Sequence, residues 1–367
     1  MVLIDTVIYE VYLIVKISIE NILLNTSEFS LPINRSISMS TTVLLTGASG
    51  FLALHVLRHL LEEGHSVVAT VRSENKAQDV LKVAKPYEAK VKISYVPDIS
   101  VPGAYDATLN ENPEITAVLH TASPFKTNVA DPIKELIEPA INGTTNILKA
   151  VNELAPQVTK VVVTSSALAI VDLIHPDSGN HTEDTWNPVT LDEVSEGWMG
   201  YCAAKKYAEK ALWEFIDHEK PNFSGTTVNP PLIWGPLLGT VTSVDNLNES
   251  SSTLYRVLQG AFPQAFSNPY VDVRDVARAH IVALKPETDG QRLFTSADFF
   301  VGKQIIEAAS PLSSKVVKVD ETVDVAKSKG GFEMDNSRTN ILLGFEYLPL
   351  KDTIVDTVKS FVERGFL

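Results

Sequence analysis

Cysteine is almost missing from this chain. Of 367 residues only Cys202 carries a thiol, so no disulfide can form within the chain. A reducing, cytoplasmic setting is therefore the expectation. Basic residues are in deficit, with 31 Lys and Arg against 45 Asp and Glu and a net charge of −14. A nucleic-acid surface needs a basic face, so that partner class is excluded; a local basic pocket for a small anion is not. Long apolar runs are missing too. Residues 1–38 are rich in Ile, Leu and Val, but Asp5, Glu10, Lys16 and Glu20 break the run, and no membrane span results. The segment has neither the basic start and small-residue cleavage site of a secretory signal nor the arginines of a transit peptide, Arg35 being its only one. The expectation is an N-terminal extension outside the fold, which starts near Met39. Internal repeats and low-complexity tracts are lacking, and no metal site is expected.

What remains is an ordinary globular composition, 44% hydrophobic and 21% charged. The length suits one large domain and a smaller lobe. From Met39 onward, strand-like and helix-like segments alternate. Strands are predicted at Val43–Thr46, Ser66–Val71, Val91–Val96, Ile115–His120, Lys160–Thr164 and Gly225–Val228. Helices are predicted at Phe51–Glu63 with Gly64 as C-cap, Glu74–Ala84, Asp131–Leu154 and Trp198–Glu219. This rhythm implies a parallel sheet covered on both faces. After Pro230 it changes. Residues 240–270 are rich in Ser and Asn around a helical stretch at Ser251–Gln259, then come helices at Val273–Leu284 and Thr353–Arg364. The predicted organisation is a dinucleotide-binding domain over 39–230 that also receives later segments, and a mainly substrate-binding α/β lobe over 231–367.

The first strand runs into Thr46-Gly47-Ala48-Ser49-Gly50-Phe51-Leu52-Ala53, a G-x-x-G-x-x-A fingerprint between a strand and a helix. Gly47 permits the tight turn, Gly50 lets the backbone approach a pyrophosphate, and Ala53 lets the helix pack closely on the strand. The helix N-terminus then offers free N–H groups and a positive dipole end to the phosphates. At the end of the second strand an NAD enzyme usually places an acid. Here the sequence reads Val71-Arg72-Ser73, with Lys76 one turn on. A guanidinium suits the 2′-phosphate of NADPH.

Tyr201 and Lys205 lie one helical turn apart on the helix after the fifth strand, so they share a face. A neighbouring ammonium favours phenolate and brings the tyrosine toward exchange with a carbonyl or alcohol near neutral pH. The spacing alone decides nothing, because Tyr12/Lys16 and Tyr347/Lys351 repeat it. Tyr12 precedes the fold, and Pro349 inside the third spacer disfavours a helix. Ser165 and Ser166 end the fifth strand, where open α/β sheets hold ligands. Either hydroxyl could polarise a substrate oxygen, and the sequence does not choose between them.

Together these motifs resemble the extended short-chain dehydrogenase/reductases, within them the dihydroflavonol-reductase-like group, and are similar to its fungal NADPH-dependent methylglyoxal/isovaleraldehyde reductases. The likeness runs from Thr42 to the C-terminus through Thr46–Ala53, Val71–Ser73, Val96–Ser100, Leu119–Phe125, Val163–Ser166, Tyr201–Lys206, Asn229-Pro230 and Tyr270–Ala277. The resemblance implies a Rossmann-type doubly wound sheet, a catalytic Ser166, Tyr201 and Lys205, and NADPH/NADP+ as cofactor. It implies cofactor contacts from Gly47, Ser49, Gly50, Phe51, Leu52, Arg72, Lys76, Asp98, Ile99, Thr121, Ala122, Ser123, Thr164, Tyr201, Lys205, Asn229, Pro230 and Leu232. The positions around the reacting atoms, Ser123, Phe125, Val171, Trp198 and Leu232, suggest an apolar substrate pocket. Trp198 and Trp234 are equally readable as plain core.

The expected function is NADPH-dependent reduction of a small-molecule aldehyde, ketone or ketoester by a monomer or homodimer. A sugar-nucleotide epimerase or dehydratase needs a basic diphosphate site in the second lobe, against which Arg72 and the Ser/Asn-rich 240–252 stretch both speak. A 3β-hydroxysteroid-type dehydrogenase is compatible with an apolar pocket. A cofactor-sensing regulator has no use for an intact Ser166, Tyr201 and Lys205.

Overall fold

The computed structural model describes residues 41–123, 129–172, 175, 179–194 and 197–367. The 1–38 extension lies outside the described residues. The strands are β1 (Thr42–Thr46), β2 (Ser66–Val71), β3 (Val91–Tyr95), β4 (Ile115–His120), β5 (Lys160–Thr164), β6 (Asn180–Thr182), β7 (Ser224–Val228), β8 (Leu232–Trp234), β9 (Ser267–Asp272), β10 (Arg292–Leu293), β11 (Asp298–Val301) and β12 (Glu333–Asp335). The helices are α1 (Phe51–Glu62), α2 (Glu74–Ala84), α3 (Asp106–Glu111), α4 (Glu138–Leu154), α5 (Gly197–Glu219), α6 (Glu249–Leu258), α7 (Val273–Val282), α8 (Gly302–Ala309), α9 (Val325–Ser328), α10 (Ser337–Leu343) and α11 (Leu350–Glu363).

Among the described residues, seven strands form one sheet in the order β3-β2-β1-β4-β5-β7-β10, every pair parallel. Strand side chains alternate between two cores, as a doubly covered sheet requires. Val43, Leu45, Val67, Ala69 and Leu119 pack on the α1 side with Leu57 and Val276. Leu44, Val68, Val118 and Val161 pack on the opposite side with Leu148 and Leu212. The order reverses between β1 and β4, which opens a crevice at their C-terminal ends. Gly64 ends α1 as expected. With φ +94° it sets a Schellman turn, His65 N–H donating to Leu60 O at 2.9 Å and Gly64 N–H to Leu61 O at 3.1 Å.

The structure departs from the predicted elements in a few places. The helix expected over 131–154 starts with a π turn at Ile133–Ile137. Pro139 has no N–H and its ring crowds the carbonyl four residues back, so the first turn opens by one residue. The seventh strand, β10, is two residues long and carries no period that could be read. α6 and α11 begin two and three residues earlier than predicted, at Glu249 and Leu350; Pro349 is the N-cap of α11. Beside the main sheet lie a three-stranded sheet, β11-β9-β8, and the parallel pair β12-β6. Trp234, Phe300, Leu254 and Phe361 form the core of this smaller layer. Trp234 is fully buried and donates its indole N–H to Ser250 O at 2.7 Å, so it is core rather than pocket. Among the described residues no helix is long and apolar enough to cross a membrane.

Three buried histidines tie neighbouring elements together. His55 of α1 meets Pro236 O at 2.9 Å. His120 meets Thr46 Oγ1 at 2.9 Å. In α7, His280 Nδ1 lies 2.8 Å from Val276 O, so it carries the proton, and Nε2 accepts from Thr164 Oγ1 at 2.7 Å. Burial lowers all three from 6.5 to about 4. Between those values the unfolded chain binds more protons than the folded one, so stability falls as pH drops through this window. Denaturant unfolding between pH 7 and pH 5 should show that loss. His280→Gln should make the pH slope shallower, and an unchanged slope would remove His280 from the linkage.

Candidate active site

The glycine turn sits at the crevice where the strand order reverses. Gly47 has φ +64°, and a Cβ there would come within 2.9 Å of the Ala122 Cα, so the turn fits only without a side chain. Gly50 is the N-cap of α1 and supplies no side-chain cap. Helix geometry leaves the first N–H groups, at Phe51 and Leu52, without intrahelical acceptors. Phe51 stacks edge-on to His55 at 5.9 Å and Leu52 packs into the α1-side core; Ser49 is half-buried. Thr46 ties this turn to the end of β4. Its Oγ1 accepts from Ala122 N–H at 3.1 Å, and its carbonyl accepts from Thr121 Oγ1 at 2.6 Å. The result is an uncapped, positive helix end held open against Ala122, a cradle suited to a dinucleotide diphosphate.

Arg72 and Lys76 are exposed at the end of β2 and the first turn of α2. Neither takes part in a salt bridge among the described residues, so both charges face solvent beside the crevice. Asp98 lies three residues past the end of β3, accepting from Ser100 N–H at 2.8 Å and Ser100 Oγ at 2.6 Å. Those bonds lower its pKa below the usual carboxylate range. Asn146 of α4 donates to both Ile99 O and Val101 O at 3.0 Å, pinning the loop from the opposite layer. The sequence reading missed Asn146; a lone helical asparagine gives no signal of a partner 47 residues away.

The two serines separate as strand alternation demands. Ser165 Oγ donates to the buried carboxylate of Glu209. Ser166 instead faces a cavity of about 360 Å³. Its Oγ accepts from Leu168 N–H at 3.1 Å, which leaves its own hydrogen to donate elsewhere. Tyr201 lines the same cavity, with Val171, Trp198 and Leu232. Lys205 Nζ stands 5.6 Å from the Tyr201 ring centre and donates to Ser123 Oγ at 3.3 Å. Burial lowers the ammonium pKa from 10.5 to about 8. Burial, and secondly the Glu249 charge, raise the phenol of Tyr201, so it stays protonated at neutral pH.

Three of the predicted contact residues stand apart from the large cavity or outside the described residues. Ser123 does not line the large cavity; it turns to Lys205 and lines a separate space of about 20 Å³. The Thr164 hydroxyl is taken by His280. Phe125 lies outside the described residues. Pro230 accepts from Ala167 N–H at 2.9 Å, holding the backbone after Ser166. Asn229 is fully buried and donates to Ser166 O at 3.2 Å.

Glu209 and Arg292 went unread in the sequence. Glu209 lies one turn beyond Lys205 on α5 and is 1% exposed. Besides Ser165, its carboxylate accepts from Arg292 Nε at 2.5 Å, Asn229 Nδ2 at 2.6 Å, Thr227 Oγ1 at 3.3 Å and Trp213 Nε1 at 3.3 Å. Arg292 lies on β10, with its guanidinium 3.8 Å from the Trp186 ring and donating to Glu183 O at 2.9 Å. Gly200 lets α5 approach the π turn; a Cβ there would fall 2.7 Å from the Pro132 Cβ. Breaking a buried ion pair from one side leaves an uncompensated charge, which costs about 3–5 kcal/mol. Glu209→Ala should lower unfolding stability by that order in denaturant titration, and Glu209→Ala with Arg292→Met should recover part of it. A single variant as stable as the wild type would show the pair to be dispensable.

The match to known proteins follows the same geometry. Residues 43–294 match the model of the NAD dependent epimerase/dehydratase family. A putative NADPH-dependent methylglyoxal reductase of Candida albicans is 40% identical over 340 residues, covering 89% of this chain and 99% of that protein. A ketoreductase of Aspergillus niger is 37% identical over the same shares of each chain. The crystal structure of yeast methylglyoxal/isovaleraldehyde reductase complexed with NADPH aligns at a TM-score of 0.82 with 34% identity, covering 89% of this chain and 100% of that one. A crevice shaped for a dinucleotide, on a sheet matched through its seventh strand, is thus inherited rather than convergent, and the chain belongs to the NAD dependent epimerase/dehydratase family.

Proposed function

We propose that this protein is an NADPH-dependent carbonyl reductase that converts aldehydes or ketones to alcohols. The observation that carries the reading is the convergence of Ser166 and Tyr201 on one mainly apolar cavity, with Lys205 against the tyrosine ring. The names of the Candida and Aspergillus relatives, a methylglyoxal reductase and a ketoreductase, support it. A cavity of about 360 Å³ falls at the small end of ligand sites, in keeping with a small substrate. A sugar nucleotide finds little support, because among the described residues lining that cavity Arg256 is the one cation.

The chain's residues fit the cofactor. The bare N-terminus of α1 and the Gly47 turn would hold the diphosphate, and Arg72 with Lys76 the 2′-phosphate of the adenosine end. When bound, NADPH supplies the hydride that reduces the carbonyl carbon. Tyr201, kept protonated by its surroundings, delivers a proton to the carbonyl oxygen. Ser166, with its oxygen already occupied by Leu168 N–H, donates its hydrogen to that same oxygen and orients it. Lys205, whose pKa of about 8 still leaves it an ammonium at neutral pH, stabilises the phenolate that forms, and uptake of a proton from solvent restores the phenol. Glu209, through Ser165 and Asn229, keeps the ends of β5 and β7 in register with α5.

The reading is tested by following NADPH and NADH consumption with a panel of simple aldehydes and ketones. The wild type should turn over several of them with NADPH, and Tyr201→Phe should lose roughly 10²–10⁴-fold in kcat/KM. No turnover by the wild type would sink the reductase reading; a near-full rate in Tyr201→Phe would sink the proton-donor role. In the same assay Arg72→Asp should cut the preference for NADPH over NADH by about ten-fold or more. A preserved preference would move the 2′-phosphate site elsewhere.

A further inference from the structure

The substrate cavity has two unlike walls. One, from the sheet side, is apolar, with Leu168, Val171 and Leu232. The other is a face of α6. Glu249, Ser250, Thr253 and Arg256 all line the cavity, at spacings of none, one, four and seven residues that place them on one side of a helix. The other side of α6, with Leu254, Val257 and Leu258, is buried in the smaller core. Among the described residues, Glu249 and Arg256 are the two charged ones lining the cavity, and they stand at opposite ends of this face of α6. Ser250, the residue after Glu249, accepts from Ile233 N–H at 3.2 Å, which sets this end of α6 beside β8 and the Asn229-Pro230 backbone, and the Glu249 charge reaches Tyr201, so Glu249 marks the reacting end. Arg256 is two turns further, about 10 Å along the helix axis. Its guanidinium lies 4.8 Å from the Phe262 ring centre, and Phe262 stacks on Phe266 with centres 5.1 Å apart. Both rings line the cavity. Among the described residues no carboxylate pairs with Arg256. Arg256 is exposed, and a guanidinium resting against an aromatic ring keeps its N–H fork available to an incoming anion.

We propose that α6 selects the substrate by charge position: Arg256 binds a carboxylate carried at the far end of an apolar spacer, and Glu249 disfavours a carboxylate next to the reacting carbonyl. The substrate class is then a long oxo acid whose carbonyl and carboxylate are well separated, not a 2-oxo acid. This rests on the carbonyl-reductase reading above, and the experiment separates the two.

NADPH oxidation is measured with octanal, 8-oxooctanoate and its methyl ester, and with 2-octanone and 2-oxooctanoate. In the wild type, kcat/KM for 8-oxooctanoate should exceed that for its ester by about ten-fold or more, the range of a charge-assisted hydrogen bond. That ratio should fall toward one in Arg256→Gln and below one in Arg256→Glu. For the ketones, 2-oxooctanoate should be the poorer substrate, and Glu249→Gln should narrow its deficit. Each ratio is internal to one variant, so a loss of active protein does not move it. Turnover of octanal with an acid-to-ester ratio near one, or a ratio unchanged in both Arg256 variants, overturns the anion site and leaves the reductase reading standing. An unaltered ketone deficit in Glu249→Gln overturns the exclusion. No turnover of any of the five compounds overturns both readings.

Discussion

The buried carboxylate of Glu209 is the constraint on which the site depends. A charge taken out of water must be matched by donors, and an incompletely satisfied one is expensive. Here five side chains donate to it, from β7, α5, β10 and the residues that follow β5 and β7. Each donor restricts where the others can go. The helix that carries Tyr201 and Lys205 is thereby tied to the strand end that carries Ser166 by directional hydrogen bonds, in addition to its apolar packing. Arg292 extends the lock outward, to the backbone around Glu183 and Thr185 and to the Trp186 ring.

A second network works at the crevice. Thr46 joins the glycine turn to the end of β4, and His120 beneath it is kept neutral by burial and by the nearby Lys205 charge. The low polarity that pushes His120 down also pushes Lys205 down and Tyr201 up. One environment therefore sets three protonation states, and all three favour a neutral phenol poised beside an ammonium that is not strongly held. Proton transfer at neutral pH needs that balance more than it needs any single shifted group.

The cavity beside Ser166 and Tyr201 draws on a different part of the chain. Its apolar wall belongs to the sheet and the segments that follow β5 and β7, which also build the cofactor crevice. Its polar wall belongs to α6, which is anchored through its buried face and through Ser250 to β8. Such a division lets the exposed face of one helix vary without disturbing the catalytic geometry, because no donor to Glu209 lies on it.

The parallel sheet, the glycine turn and the Tyr201–Lys205 pair were all legible in the sequence, because each is a local pattern: a run of β-branched residues, a turn that only glycine permits, two side chains one helical turn apart. So was Arg72, from its place at a strand end. The choice between Ser165 and Ser166 was not legible from the residues themselves, since adjacent strand residues differ only in the face they present, and that face is set by pairing with β4 and β7. Glu209, Asn146 and Arg292 were unreadable for a related reason. A charged or amide residue on a helix or a two-residue strand looks solvated until its partners, 44, 47 or 83 positions away in sequence, are brought to it. The sequence by itself determined the chemistry that could occur here; tertiary structure decided which of its polar groups are buried together, because burial is what makes a hydrogen bond obligatory.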